Sequence, residues 1–168
     1  MLKYVDTAVT LREIPNEITL CINISNCPCH CKGCHSSYLA ADIGEELTDT
    51  KLMELIDANK GITCVALMGG DNDPAEVERL LTGYTAYMAY ARPNDKAVKT
   101  AWYSGRQELP TDFEYGFINY IKLGPYKEEL GPLDSPTTNQ RLYKVIINND
   151  IPTPVSYTHL RAHETLRH

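Results

Sequence analysis

The chain has 168 residues and a formal net charge of −6. This length predicts one domain with a sizeable core, and it is too short for a complete eight-fold (β/α) barrel, which needs about 200 residues or more. The acidic balance argues against a nucleic-acid or membrane partner, and no apolar run approaches the roughly 18 residues that span a bilayer, so a cytoplasmic protein is expected.

Strand-like and helix-like segments alternate along the chain. Short runs rich in β-branched and aromatic residues predict strands, and apolar residues at helical spacing predict two helices. Thr48 is available as the N-cap of the first helix, and Asp73 followed by Pro74 marks the start of the second. The predicted elements in chain order are a strand at 17–24, helices at 48–61 and 73–92 with a strand at 62–68 between them, strands at 98–104 and 118–124, and an edge strand from residue 141. Such alternation predicts a largely parallel sheet with functional loops beyond the carboxyl ends of its strands.

Four of the six cysteines lie in the segment NCPCHCKGCHSSY, residues 26–38, directly after the first predicted strand. In a reducing compartment such clustered cysteines indicate metal binding or redox chemistry rather than disulfides. Cys27, Cys31 and Cys34 form the pattern C-x3-C-x2-C, and Cys29 is an extra thiol inside it. Three thiolates can hold three irons of a cubane cluster and leave the fourth iron open to an exogenous chelator.

A closed zinc site is the alternative use of these thiols. Its fourth ligand would be one of Cys29, His30 or His35, and its geometry would be tetrahedral. Zinc modules usually pair two short knuckles separated by a dozen or more residues, and no second knuckle is present in the sequence.

The strand at 62–68 runs directly into the segment GGDNDP, so this segment is expected beside the cysteine loop. Gly69 and Gly70 allow close approach of backbone to a ligand, and Asp71 offers a carboxylate to an ammonium group. The pattern therefore predicts an amino-acid site. An ordinary glycine turn, with Asp71 or Asp73 capping the following helix, is the alternative interpretation.

These motifs together resemble those of radical S-adenosylmethionine enzymes. The closer resemblance is to the activating proteins of anaerobic ribonucleoside-triphosphate reductases. CKGCH is similar to their third-cysteine segment, MGGD to their second motif, and LDSPTTNQRLYKV, residues 133–145, to their C-terminal Asn-Gln-Arg segment. The resemblance covers roughly residues 10–147. Cys29 departs from it, as does the segment 156–168, which resembles translated adapter or vector sequence.

The resemblance implies a partial (β/α) barrel in a single domain, residues 1–155, with 156–168 as a non-native or disordered tail. It implies a [4Fe-4S] cluster and S-adenosylmethionine as cofactors. The reduced cluster would cleave S-adenosylmethionine to methionine and a 5′-deoxyadenosyl radical, which takes a hydrogen atom from a backbone glycine of the reductase. The implied roles are cluster ligation by Cys27, Cys31 and Cys34, adenine contact near Gly33 and His35, and binding of the methionine amino group by Gly69, Gly70 and Asp71.

The implied partners are the anaerobic ribonucleoside-triphosphate reductase, as the protein substrate, and an electron donor such as flavodoxin or ferredoxin. Two alternatives remain open from the sequence. One is activation of another glycyl-radical enzyme, of the pyruvate formate-lyase type. The other is a non-catalytic zinc or iron–sulfur module.

Other residues have less specific interpretations. Cys21 and Cys64 lie within predicted strands and are expected to be buried small hydrophobic residues. Ser104 and Gly105 follow the third predicted strand, where a cofactor contact and a plain turn are equally good interpretations. Three tyrosines at three-residue spacing are expected to form a packed helix face: Tyr84, Tyr87 and Tyr90. Asn139, Gln140 and Arg141 either shape a partner-binding surface or lead into the edge strand.

Overall fold

The centre of the fold is a sheet of eight strands, seen in a computed structural model that describes residues 1–148 and 151–156. Two helices pack on the sheet: α1 (Asp49–Ala58) and α2 (Pro74–Ala91). The strands are β1 (Lys3–Thr10), β2 (Thr19–Ile24), β3 (Glu45–Glu46), β4 (Cys64–Met68), β5 (Lys99–Tyr103), β6 (Tyr120–Leu123), β7 (Arg141–Asn148) and β8 (Ile151–Ser156). The tail predicted at 156–168 lies, beyond Ser156, outside the described residues.

The described strands follow the order β3-β1-β2-β4-β5-β6-β7-β8. The four strands β2, β4, β5 and β6 pair in parallel, and the strands on both sides of them pair antiparallel. The sheet does not close on itself, since its order ends at β3 on one side and at β8 on the other. The predicted α/β class is confirmed, and the prediction of a largely parallel sheet holds for the centre of the sheet.

Strand β1 was not among the predicted elements. It pairs antiparallel with β2, with a register irregularity between Tyr4 and Asp6. Most of its residues are half-buried or exposed, so it lacks the apolar run that marks a central strand. The cysteine loop therefore follows the second strand of the chain rather than the first. That strand is nevertheless the first of the parallel set.

Both helices begin at the predicted caps. The Thr48 side chain accepts a hydrogen bond from the Lys51 backbone N–H at 3.1 Å. The Asp73 carboxylate accepts one from the Glu76 N–H at 3.2 Å, and Pro74 occupies the first turn of α2. These contacts satisfy backbone donors that have no partner within the helix. Within the part of the chain that the structure describes, neither helix is long and apolar enough to cross a membrane.

Large apolar side chains fill the space between the helices and one face of the sheet. Trp102 lies fully buried at its centre and stacks on Phe113, with 4.7 Å between ring centroids. The helices and strands both contribute to this cluster: Leu52, Ile56, Val77, Leu80, Leu81, Tyr84 and Met88 from the helices, and Leu20, Ile22, Ile24, Val65, Leu67 and Ile121 from the strands. We call this side of the sheet the helix face.

The prediction that Tyr84, Tyr87 and Tyr90 form one packed face of α2 is wrong for two of the three residues. Tyr84 is buried in the helix-face cluster, but Tyr87 is 44% exposed and Tyr90 is 88% exposed. At 3.6 residues per turn, each three-residue step turns the side chain about 60° away from the previous one. The three rings therefore point in successively different directions instead of sharing one apolar face.

The opposite side of the sheet buries smaller and more polar side chains, and none of the buried residues of α1 or α2 contributes to it. We call it the helix-free face. Its cluster consists of Ile14, Cys64, Ala66, Ala101, Tyr103, Tyr120 and Leu142. Cys64 is fully buried and Cys21 is 6% exposed, as predicted. Burial raises the pKa of the Cys21 thiol to about 12, so this thiol is protonated at neutral pH.

Candidate functional site

The cysteine loop extends from the carboxyl end of β2, and backbone hydrogen bonds fix its course. The Asn26 N–H donates to the Ala41 carbonyl at 3.0 Å, and the Cys27 N–H donates to the Leu39 carbonyl at 2.9 Å. Within the loop, the Cys34 N–H donates to the Cys31 carbonyl at 3.2 Å, which closes a tight turn. The loop is therefore built as a sequence of turns anchored to the segment that follows it.

All four cysteines of the loop are free and half-buried. Among the described residues, no three His, Cys, Asp or Glu side chains converge closely enough to hold a single metal ion. A tetrahedral zinc site needs its four ligands about 2.3 Å from a common point, whereas cubane thiolates bind separate irons and stay further apart. Cys27, Cys31 and Cys34 are free, half-buried thiols on one anchored loop, which is the donor type that holds cubane clusters.

The first two thiols of the loop interact. A hydrogen bond from the Cys29 thiol lowers the pKa of Cys27 to about 6, against the opposing effect of burial. The same hydrogen bond, followed by burial and the nearby Asp71 carboxylate, raises the pKa of Cys29. The interaction therefore favours the thiolate form of Cys27 over that of Cys29. The thiolate is the form of cysteine that binds metals.

The backbone conformation after β4 requires glycine at two consecutive positions. Gly69 and Gly70 have φ angles of 107° and 89°, which side-chain-bearing residues rarely adopt. A Cβ on Gly70 would lie 2.6 Å from Val77 Cγ2, and one on Gly69 would lie 3.1 Å from the Ile24 carbonyl oxygen. The Gly69 carbonyl accepts a hydrogen bond from the Trp102 indole at 2.8 Å. The pair thus turns the chain tightly against the end of β2.

Asp71 lies next to the glycine pair, is 2% exposed and accepts several hydrogen bonds. Its Oδ1 accepts from the Ser104 hydroxyl at 2.5 Å, and its Oδ2 accepts from the Gly105 N–H at 2.8 Å. Cys29 Sγ lies 3.7 Å from Oδ2, and Arg106 Nε lies 3.7 Å from Oδ1. The carboxylate therefore joins the cysteine loop after β2 to the loop after β5.

The alternative interpretation, an ordinary glycine turn with Asp71 or Asp73 as the helix cap, holds in part. Gly69 and Gly70 form a tight turn and Asp73 caps α2, whereas Asp71 does not. The plain-turn interpretation of Ser104 and Gly105 is also incomplete. Both residues lie in the loop after β5, and both donate to the Asp71 carboxylate. The structure therefore brings them to the site at the carboxyl edge of the parallel strands.

Two cations at this edge were not predicted. Arg106 Nη2 donates to the Asp71 carbonyl at 2.8 Å. Lys122, 8% exposed, donates to the Gly124 carbonyl at 2.7 Å and to the Ser104 carbonyl at 3.4 Å. Burial lowers the pKa of Lys122 to about 8. The sequence signal was present, because both residues lie at or just past the carboxyl end of a parallel strand, where functional side chains collect.

Gly33 and His35 lie against the segment that follows β6. A Cβ on Gly33 would lie 3.1 Å from Glu128 Cδ, and the φ of Gly33 is 73°. The His35 ring lies 5.8 Å from the Tyr126 ring, measured between centroids. These contacts place the far end of the cysteine loop beside the carboxyl end of β6. The contact of Gly33 and His35 with adenine stays a prediction.

The Asn-Gln-Arg segment leads directly into β7. Asn139 Nδ2 donates to the Pro125 carbonyl at 3.0 Å, and its buried Oδ1 has no hydrogen-bond partner among the residues that the structure describes. Arg141 Nη1 donates to the carbonyls of Thr138, at 2.5 Å, and Gln140, at 2.8 Å. The segment thus holds the loop after β6 against the start of β7. It leads into a strand as predicted, but the prediction of an edge strand is wrong, because β8 pairs with β7 on its outer side.

Comparisons with models of protein families, with curated proteins and with solved structures gave no match to this chain. The functional argument therefore rests on the residues and their geometry.

Proposed function

We propose that this chain is a radical S-adenosylmethionine enzyme that generates a glycyl radical on an anaerobic ribonucleoside-triphosphate reductase. One observation supports this proposal above the others. The 3.7 Å contact between Cys29 Sγ and Asp71 Oδ2 joins the three-cysteine loop to the Gly-Gly-Asp segment. The cubane donor set and the amino-acid site expected from the sequence thus lie side by side at one edge of the sheet.

In this proposal Cys27, Cys31 and Cys34 each hold one iron of a 4Fe–4S cluster. Such a cluster would supply the electron for reductive cleavage of bound S-adenosylmethionine, and the protein would orient the reactants. Asp71 has the charge to accept a hydrogen bond from the methionine ammonium. A carboxylate has about four lone-pair positions, and Ser104, Gly105 and Cys29 occupy three of them, which leaves one for a further donor.

Arg106 has the right position and charge for the methionine carboxylate. Its side chain is 43% exposed beside Asp71, so its guanidinium has N–H groups that face solvent. A guanidinium binds a carboxylate with two parallel hydrogen bonds in favourable geometry. Arg106 and Asp71 together therefore form a paired site for the two charged groups of one amino acid.

The open sheet supports a protein as the substrate. The central parallel strands are flanked by β1 and β3 on one side and by β7 and β8 on the other, and these two sides do not meet. A loop of a large protein needs such an opening to bring a backbone glycine to the site, whereas a small substrate does not.

Two other functions compete with this proposal. Activation of another glycyl-radical enzyme, of the pyruvate formate-lyase type, needs the same motif and the same chemistry. A non-catalytic zinc or iron–sulfur module needs only the cysteines. The Asp71 network distinguishes the second alternative, because a purely structural metal site does not require a buried carboxylate beside it.

The test combines the anaerobically reconstituted protein with S-adenosylmethionine, a reductant and the candidate reductase. We expect a glycyl radical detected by electron paramagnetic resonance, with a doublet that collapses when the reductase is prepared with α-deuterated glycine. We also expect deuterium in the 5′-deoxyadenosine. A pyruvate formate-lyase offered in parallel is the specificity control. Efficient hydrogen transfer from a small nucleoside with no protein partner present would contradict the proposal.

A further inference from the structure

A short segment of the chain lies across the helix-free face of the sheet. It consists of residues 11–16, between β1 and β2, and we call it the strap. The Ile14 side chain is fully buried in the helix-free cluster, where it alone among the described members comes from a loop instead of a strand. The Glu13 carbonyl accepts a hydrogen bond from the Tyr103 hydroxyl at 2.6 Å. The strap is therefore packed on the face itself.

The face beneath the strap has small side chains at its centre. Strand pairing sets Cys21, Ala66, Ala101 and Tyr120 side by side across the four parallel strands. The two alanines of this row end at a methyl group, and protein interiors are close-packed, so a larger side chain from elsewhere must fill the space above them. Ile14 packs in the same cluster and fills this space, which we call the alanine hollow.

The next row toward the site contains Tyr103 and Lys122, which pair across β5 and β6. Each is 8% exposed, so the face is covered up to the carboxyl edge. Burial lowers the pKa of Lys122, and the charge of Glu13 acts in the opposite direction, which indicates that the Glu13 carboxylate faces this row. Lys122 also donates to the carbonyl of Ser104, a residue of the Asp71 network. The strap thus lies directly beside the candidate site.

The ends of the strap are fixed more firmly than its middle. Thr10, the last residue of β1, pairs with β2, and Glu17 accepts hydrogen bonds from three side chains. Between these ends the backbone belongs to no strand or helix, and Leu11 is 71% exposed while Ile14 is buried. Segments with few buried apolar side chains open locally at a small free-energy cost. The strap can therefore leave the face while both of its ends stay in place.

A protein substrate has to approach the site over this face. Hydrogen-atom transfer needs the reacting atoms about 3–3.5 Å apart, so the glycine must come to the carboxyl edge of the sheet. The opposite face is filled by α1 and α2, whose buried side chains form one cluster with those of the strands. In the free protein the strap occupies the helix-free face through a backbone carbonyl and one branched apolar side chain. A segment of another polypeptide can offer the same two groups.

We propose that the strap is a displaceable cover and that the glycine-bearing segment of the partner protein replaces it. In the complex, a backbone carbonyl of the partner accepts the hydrogen bond from Tyr103, and a branched apolar side chain of the partner fills the alanine hollow. The strap thus holds the place of the substrate and keeps the face closed until the partner binds. This inference rests on the proposed function, because it assumes that the substrate is a protein.

The experiment measures the dissociation constant between the candidate reductase and the anaerobically reconstituted full chain. Ile14→Ala loosens the strap and leaves Tyr103 and the alanine hollow intact. If the strap covers the face about nine-tenths of the time, its release should tighten binding about tenfold. Ile14→Val removes a single carbon, so it should tighten binding less. Ile22→Ala is the matched control, because Ile22 is a fully buried isoleucine of the helix face, and it should leave the affinity unchanged.

A peptide competition tests the alanine hollow separately. A synthetic peptide with the sequence of residues 10–17, TLREIPNE, should compete with the reductase for the Ile14→Ala variant. The same peptide with alanine in place of its isoleucine should compete about tenfold more weakly, because it lacks the side chain that fills the hollow.

Tighter binding by both Ile14 variants, with Ile22→Ala unchanged, would support displacement, because removal of a merely structural isoleucine does not improve binding. Unchanged or weaker binding by both Ile14 variants, or equal competition by the two peptides, would overturn the inference. The proposed function would stay intact in that case if the glycyl radical still forms. A reductase that neither binds the wild type nor acquires a glycyl radical would overturn both proposals.

Discussion

The two faces of the central sheet bury different kinds of side chain. On the helix face, Trp102, Leu67 and Leu80 are fully buried in a continuous apolar cluster. On the helix-free face, the central strands carry Cys64 and Ala66, with small side chains. Large apolar side chains stabilise a fold in proportion to the area they bury, so most of the stability of this chain comes from the helix face.

The helix-free face also buries ionisable groups, one toward each end of the parallel strands. Glu17 precedes the amino end of β2, and Lys122 lies near the carboxyl end of β6, with exposed fractions of 4% and 8%. Buried charges are costly unless they are paired, and such residues concentrate at functional sites. The helix face therefore supplies most of the apolar packing, while the helix-free face adds buried charged residues, of which Lys122 lies at the edge that carries the candidate site.

The largest expected effect is on the helix face. Trp102→Ala removes the ring that stacks on Phe113 and the N–H donated to the Gly69 carbonyl. We expect the free energy of unfolding to fall by about 3–5 kcal/mol. Chemical denaturation followed by circular dichroism measures this change.

The matched control on the other face is Cys64→Ala, at an equally buried position. It removes one small group, so its cost should be about 1 kcal/mol. Equal losses of stability in the two variants would show that the helix face does not dominate the stability of the fold.

A second prediction concerns Lys122, whose pKa burial lowers to about 8 from the usual 10.5. Between these pH values the unfolded chain binds more protons at this residue than the folded chain, so folding stability should rise with pH. The gain should reach about 3 kcal/mol. Lys122→Met should remove it, and the difference between the unfolding curves of the two proteins from pH 7 to 10.5 isolates the contribution of Lys122. Parallel pH profiles would contradict a buried, perturbed lysine.

At the amino end of the helix-free face, Glu17 accepts hydrogen bonds from Thr63 Oγ1 at 2.6 Å, Tyr120 OH at 2.7 Å and Lys99 Nζ. Burial alone raises its pKa, but these donors outweigh burial and leave it lowered. The ionised Glu17 carboxylate therefore contributes to folding stability above its unfolded pKa of about 4.5. This contribution is lost as the pH falls through the lower pKa of the folded state.

Glu17→Gln should therefore cost about 2 kcal/mol at pH 7. The cost should shrink on acidification below pH 4.5, which unfolding curves at pH 7 and pH 3 would measure. If the wild type lost no more stability than Glu17→Gln over this acidic interval, the carboxylate would not be engaged as described.

The smallest predicted effect is at the carboxyl edge. Asp71→Asn keeps the shape of the side chain but removes its charge, so S-adenosylmethionine binding should weaken about tenfold while the cluster still assembles. Ser104→Ala is the control, because it removes a donor to Asp71 and leaves the negative charge. A titration followed by spectroscopy measures both affinities. Unchanged affinity in Asp71→Asn would limit Asp71 to joining the loops after β2 and β5.

Local sequence patterns were sufficient to predict the central strands and the helices. The apolar runs of β4 and β5 and the caps Thr48 and Asp73 are signals contained within a few residues, and each was predicted close to where it lies. The adjacency of the cysteine loop and the Gly-Gly-Asp segment was also predicted, since consecutive parallel strands usually pair. The sequence alone therefore predicts where the candidate site lies.

The missed features depend on contacts between distant parts of the chain. Strand β1 alternates in burial and gains its structure by pairing with β2, which its own composition does not reveal. The donors to Asp71 lie more than 30 positions further along the chain, at Ser104 and Gly105. The position of Cys29 likewise depends on the missing side chain of Gly105. No local pattern contains these relations.

The most direct test of the cluster assignment is the iron content of single-cysteine variants after anaerobic reconstitution. We expect Cys27→Ala, Cys31→Ala and Cys34→Ala each to lose the cubane cluster, because each thiolate holds a different iron. Cys29→Ala should retain it, and its reduced electron paramagnetic resonance signal should change when S-adenosylmethionine is added. Retention of iron in Cys27→Ala with loss in Cys29→Ala, or bound zinc and no response to S-adenosylmethionine, would contradict the assignment.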